Sequence, residues 1–474
     1  MLRIFFYLLI AYLPFQIALN PYPGVDLMSG RILILALFFY WLWILRMASV
    51  RSGEKSLNGR KFLNFQSIFL LIFLFFVLLS LTRAEELFWG IRKTFVFFSI
   101  FPLAFLTIEI LNNFEKTSPV RDSDNRESLK EKQISNGVKK TIKILVFSAL
   151  PIALIGIFQF FAQFIFIPGL VTNFWEKWLA PVFYGRAFGS LVTADSSWLI
   201  ELGGNFYFRA ISLFPDPHTF AFYLGLIMPL AVALLFLAKE NRKLLFAICF
   251  LLFVALLLTF SRGAYFAMLI TLIFFAFLFI IKHRAFRVPK KYKLLLAACC
   301  LLFAACFLIP FSPVSQCFYS AFDFSRHSNV ERINVWKDAL NSIGSHPWLG
   351  VGIGNFPKVQ DPWAKYHSPI NAHSVYLDIA AETGIFALWS WLVLFIGTIF
   401  GLLRNTLIYT DKKTDLHRWR VISWGLAGSL VWFSSHAAVE TPIYNSTILA
   451  ILMVILGLSA TIIQKSKIKN QNDI

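Results

Sequence analysis

About twelve stretches of this chain are apolar for long enough to cross roughly 30 Å of hydrocarbon, and no other feature constrains its fold as strongly. They run near 4–20, 30–48, 65–82, 91–112, 143–166, 218–238, 243–260, 264–282, 294–312, 375–403, 421–437 and 445–463. A soluble domain of 474 residues could not bury a composition that is 58% hydrophobic and 17% aromatic. The pattern predicts an all-α polytopic membrane protein, one transmembrane domain over 1–474 with about twelve helices. The first run ends in "ALNPYPG" without a small-x-small cleavage site, so it reads as the first helix and not as a signal peptide.

A net charge of +19 would suit nucleic acid, so the positions of the positive residues decide its meaning. With both termini inside, about 31 of the 44 Lys and Arg fall on inner segments and about 13 outside. The charge orients the chain in a membrane and does not point to nucleic acid. Cys249, Cys299, Cys300 and Cys306 lie in apolar runs and Cys317 in a loop, with no disulfide or zinc spacing.

Two connections on the outer face are long, 167–217 and 313–374, and long ordered loops are usually functional. Trp175, Trp178 and Trp198 in the first read as a membrane-interface belt, with a sugar platform as the alternative. In the second, Ile333, Trp336, Ala339, Leu340 and Ile343 fall at helical spacing and predict an amphipathic helix on the outer surface. The inner segment 113–143 is mixed-charge; its Asp122-Ser123-Asp124 has metal-ligand spacing but no apolar surround to build a pocket. Gly350, Gly352 and Gly354 resemble a dinucleotide loop only superficially, because no strand-helix-strand unit encloses them.

The topology collects Arg209, Arg262 and His373 on the outer side. Arg262 sits in the short connection Ser261-Arg262-Gly263, where a guanidinium either meets lipid phosphate or binds a diphosphate bidentately. Asp216 and Pro217 read as a helix start, which leaves His218 a weak claim on function. His373 stands at a helix mouth, where a histidine can take a proton from an alcohol. Asp378 and Glu382 share a helix face. At their expected depth each needs an arginine, backbone amides or substrate hydroxyls as partner.

These residues together resemble the O-antigen ligase and O-antigen polymerase-like membrane proteins. His373-Ser374-Val375-Tyr376-Leu377 followed by Glu382-Thr383-Gly384 is similar to that family's signature. Arg332 and Trp336 before "HPWLGVGIGNF", Ser261-Arg262-Gly263 and "RAISLFPDPHTFAFYL" are similar to three further motifs, all within 205–385.

The resemblance implies a metal-independent glycosyl transfer with no cofactor, on the periplasmic face of a bacterial inner membrane. The donor would be a glycan on undecaprenyl diphosphate, and the acceptor a glycolipid or saccharide hydroxyl. His373 would be the general base or orient the acceptor. Arg209 and Arg262 would bind the diphosphate, with Arg332, Tyr376, Asp378 and Glu382 in support. The competing class is a lipid flippase or other transporter, which should show a repeat and ionisable residues near the midplane. The sequence shows neither, and it leaves ligase, polymerase and protein-directed transfer open.

Overall fold

The computed structural model describes residues 1–22, 25–52, 64–112, 123–193, 196–202, 204–238, 240–281, 312–366, 371–408 and 414–472. Its long helices are α1 (Leu2–Tyr12), α2 (Ser29–Ser52), α3 (Phe65–Ser80), α4 (Leu87–Ile100), α5 (Pro102–Asn112), α6 (Ser123–Ile165) and α7 (Pro217–Leu237). They continue with α8 (Arg242–Leu258), α9 (Arg262–Ile281), α10 (His327–Ser345), the short α11 (Val375–Thr383), and then α12 (Ile385–Ile408), α13 (Thr414–His436) and α14 (Ser446–Asn472). The architecture is that of a helical polytopic membrane protein. Among the described residues, eight helical segments are long and apolar enough to cross a membrane.

The twelve apolar runs do not translate one-for-one into crossing helices. The run at 294–312 lies outside the described residues. The run at 4–20 is helical only to Phe15, after which β1 (Ala18–Tyr22) and β2 (Val25–Met28) form an antiparallel hairpin. A second hairpin, β3 (Leu199–Leu202) with β4 (Asn205–Phe208), lies in the first long loop, so the fold is not purely helical. The run at 375–403 is two helices. Gly384 divides them at a φ of +84°, and a Cβ there would lie 2.0 Å from the Trp348 carbonyl oxygen. Only Gly fits that backbone and that approach.

Local signals set the helix starts. The Asn64 side chain accepts from Ser67 N at 2.8 Å to cap α3. Asp216 caps α7 through Thr219 N at 2.8 Å, with Pro217 in the first turn as expected. The core centres on α14, whose membrane-length window is 94% buried, and on α7, which packs along α13. A Cβ at Gly225 would fall 1.7 Å from the Trp432 ring, so this contact needs a residue without a side chain.

The long loops are structured. Trp175, Tyr184, Trp198, Phe208 and Ile211 make a separate small core in the first. Trp175 Nε1 donates to Ser212 O at 2.9 Å and Trp198 Nε1 to Pro215 O at 2.8 Å. These two tryptophans therefore pack the loop and do not form an exposed belt; Trp178 alone of the three is exposed. Cys317, expected in an open loop, is buried. In the second loop α10 forms as its spacing predicts, with Val335, Ala339 and Ile343 against Phe356, Ala372 and Ala381. Leu340, expected on that face, is exposed.

Candidate active site

The ends of α7, α9, α13 and α14 converge beside the short α11, and the charged residues gather there. Glu440, in the link between α13 and α14, is the hub. Its Oε1 pairs with Arg332 Nη2 of α10, and Arg332 Nη1 donates to Val439 O at 3.0 Å. Glu440 Oε1 also lies 3.4 Å from His218 Nδ1, and its Oε2 lies 3.5 Å from His373 Nδ1. His218 Nδ1 is 3.0 Å from Ser261 Oγ as well. Arg209 and Arg262 both lie within electrostatic range of Glu440, and Arg262 within range of Arg332. One arginine and two histidines thus lie within 3.5 Å of one carboxylate, with Arg209 and Arg262 farther off.

His373 is placed by its neighbours. Its backbone is left-handed at a φ of +46°, a strained conformation for a non-glycine residue. Its N–H donates to Asn371 Oδ1 at 2.8 Å. On one side Trp336 Nε1 donates to Ala372 O at 2.9 Å; on the other Val375 N donates to Ala437 O at 2.9 Å. Asp378 joins both walls, because its Oδ1 accepts from Ala372 N at 2.8 Å while its Oδ2 accepts from Thr441 Oγ1. One carboxylate thereby ties the residue before His373 to the residue after Glu440. Tyr376 is anchored through its hydroxyl to Ser434 O at 2.8 Å. The imidazole is about one-third exposed, whereas Glu440 beneath it is 9% exposed.

Arg209 and Arg262 play different structural parts. Arg209 is buried and donates from Nε to Thr259 O at 2.8 Å, from Nη2 to Phe260 O at 2.9 Å and from Nη1 to Ser197 O at 3.0 Å. It holds the turn ahead of α9, where Phe260 is also left-handed at a φ of +48°. Arg262 follows that turn and donates from Nη1 to Asn329 Oδ1 at 3.0 Å and Ser320 O at 3.2 Å, with Ser328 Oγ 3.4 Å from Nη2.

Glu382 belongs to a second cluster. Lys93 Nζ of α4 lies 2.7 and 2.8 Å from its two oxygens, and Tyr444 donates to Oε2 at 2.9 Å. The ammonium also sits 3.8 Å from the Tyr444 ring centroid. The partner of this carboxylate is thus a lysine and a tyrosine, neither of them among the partners expected from the sequence. Among the described residues no three His, Cys, Asp or Glu side chains gather at metal-binding spacing. Asp122 lies outside the described residues.

Asp378 and Glu440 titrate in opposite senses. Burial pushes the Asp378 carboxyl up to about 6, and Glu382 adds to the rise. The folded protein therefore binds this proton more tightly than the unfolded chain, so stability rises as pH falls from about 6 towards 4. For Glu440 burial also opposes ionisation, but His218, Arg332 and His373 outweigh it and hold the carboxyl well below its usual range. Its contribution is complete above about pH 4.5 and is lost only as pH falls through the lower folded value. Melting curves in detergent should show the wild type gaining on Asp378→Asn as pH falls from about 7 to 5. A gap that shrinks or stays constant as pH falls would contradict the Asp378 assignment.

The fold and site define a polytopic membrane protein with an arginine-rich, histidine-bearing cluster at one end of its helices. Residues 247–392 match the O-antigen ligase family model, and that stretch is similar to the family that the motifs resemble. The matched stretch holds Arg262, Arg332, His373, Asp378 and Glu382; Arg209, His218 and Glu440 lie outside it. The match supports a membrane glycosyltransferase-like role in polysaccharide biosynthesis. Comparison with curated proteins found no match.

Proposed function

We propose that this protein transfers a glycan from a lipid diphosphate, of the undecaprenyl type, to an acceptor hydroxyl at the periplasmic surface of a bacterial inner membrane. The observation that carries this reading is the gathering of Arg209, Arg262 and Arg332 about His373 and Glu440. A diphosphate needs such cations, and an alcohol nucleophile needs such a base.

In this mechanism His373 Nδ1–H faces Glu440, which leaves Nε2 as the acceptor for a proton. The 3.5 Å contact is long, as catalytic hydrogen bonds often are before substrate binds. The acceptor hydroxyl gives its proton to Nε2 as its oxygen bonds to the anomeric carbon. The bond from that carbon to the diphosphate oxygen breaks, its electron pair leaves with the diphosphate, and the configuration inverts. Arg262 and Arg332 stabilise the developing charge, while the buried Arg209 adds its field from behind the 259–261 turn. No metal enters the mechanism.

The test is transfer by purified protein in liposomes, supplied with a panel of undecaprenyl-diphosphate glycans and glycolipid acceptors. Wild type should form glycosylated acceptor and release lipid diphosphate in equal amounts. Arg262→Lys keeps the charge but loses the planar fork, and should be slower by about 10- to 100-fold. Movement of the lipid between leaflets without release would favour the flippase reading instead.

A further inference from the structure

Beside α11, away from Glu440, a cavity of about 310 Å³ opens between the end of α3 and the 346–359 segment. Arg83, Glu85, His346, Asn355 and Lys358 line it, with Gly350 in its wall. The mechanism above uses none of these residues; Gly350 and Gly352 of the "HPWLGVGIGNFP" stretch pack closely on Ala381 and Ala84 and so hold the cavity wall against its neighbours.

Its polar groups are set up to receive a ligand. His346 Nδ1 is buried and makes no hydrogen bond among the described residues. Such an atom carries a desolvation cost unless a ligand or water satisfies it. Arg83 is exposed and unpaired among the described residues, so its fork of donors is available. Lys358 Nζ lies 3.4 Å from Glu86 Oε1, which fixes the ammonium at the rim, and 5.5 Å from the Trp89 ring centroid. Asn355 is held by Glu86 N, which donates to its Oδ1 at 2.7 Å. Glu86 answers Lys358, which leaves the Arg83 fork as the lining cation to meet one anionic group, while Glu85 and the His346 imidazole are suited to hydroxyls.

The cavity is also joined to the reaction centre. Val351 N donates to Ala381 O near the far end of α11, whose opposite end follows His373. Nine helical residues separate the two by about 12 Å. That is too far for the reacting hydroxyl, and within reach of a glycan chain.

We propose that this cavity is a subsite for a sugar carrying a single anionic group, a uronate or a sugar phosphate, within one of the glycans brought to His373. The assignment of the ligand as part of a substrate rests on the transferase reading; binding of the sugar does not. Full-length protein in nanodiscs would be titrated with glucuronate, glucose 6-phosphate, glucose and inorganic phosphate by saturation-transfer or competition NMR. One or both acidic sugars should bind at least about tenfold more tightly than glucose or inorganic phosphate. Which of them binds identifies carboxylate or phosphate as the recognised group.

Arg83→Gln/Lys358→Gln should weaken that binding about tenfold or more, and His346→Phe should weaken it without touching the cations. His373→Ala should bind as wild type does. Equal affinity for glucose, inorganic phosphate binding as tightly as either acidic sugar, or variants that bind normally would overturn the proposal. Because the assay needs no turnover, absence of glycan transfer alongside normal sugar binding would count against the transferase reading and leave the sugar site standing.

Discussion

His373→Ala should slow glycan transfer by about 100- to 10,000-fold while leaving the thermal midpoint within a few degrees of wild type. The range is that of a positioned general base. The small structural cost follows from the site's construction. The loop is held by Trp336, Asp378 and the Val375–Ala437 hydrogen bond, none of which uses the imidazole. Alanine at a φ of +46° retains the backbone strain of histidine, so the fold is not rescued by relief of strain either. Initial rates with a lipid-diphosphate glycan and its acceptor would check this. A variant within a few-fold of wild type would remove His373 from the chemistry.

Lys93→Ala should be the most destabilising single change at this end of the molecule. Glu382 is 1% exposed and both its oxygens contact the lysine ammonium, so removing the lysine strands a buried carboxylate with one tyrosine donor. Breaking a buried pair from one side typically costs about 3–5 kcal/mol. The loss should be partly recovered by Lys93→Met combined with Glu382→Gln, because no unpaired charge then remains. Denaturation midpoints of Lys93→Met, Glu382→Gln and the double variant would show it. A fully additive loss would mean that Lys93 supports the fold through its cation–π contact with Tyr444 and not through Glu382.

The sequence made some of this legible and hid other parts for physical reasons. The helical membrane fold, the caps of α7 and the amphipathic spacing of α10 are local, so they could be read directly. The break at Gly384 was hidden inside a continuous apolar run, because what enforces it is the Trp348 carbonyl, distant in sequence. Arg332 and His373 stand out in the sequence, and the structure joins them through Glu440, while Arg209 and Arg262 hold the turn and helix start beside them. Their hub, Glu440, was missed because "AVETPIYN" has no motif of its own. The available clue was a carboxylate in a short link on a face where arginines already gathered. Lys93 was legible in principle: a lysine inside the 91–112 run and a glutamate inside the 375–403 run each required a partner.

In the proposed mechanism Glu440 acts through His373, holding the imidazole so that Nε2 meets the acceptor. A double-mutant cycle on the transfer rate measures this directly. Glu440→Gln alone should be slow, and His373→Ala/Glu440→Gln should be no slower than His373→Ala, since a positioning carboxylate has nothing left to position. If the two losses multiply, Glu440 and His373 act independently and the proposed base is not the one that Glu440 serves.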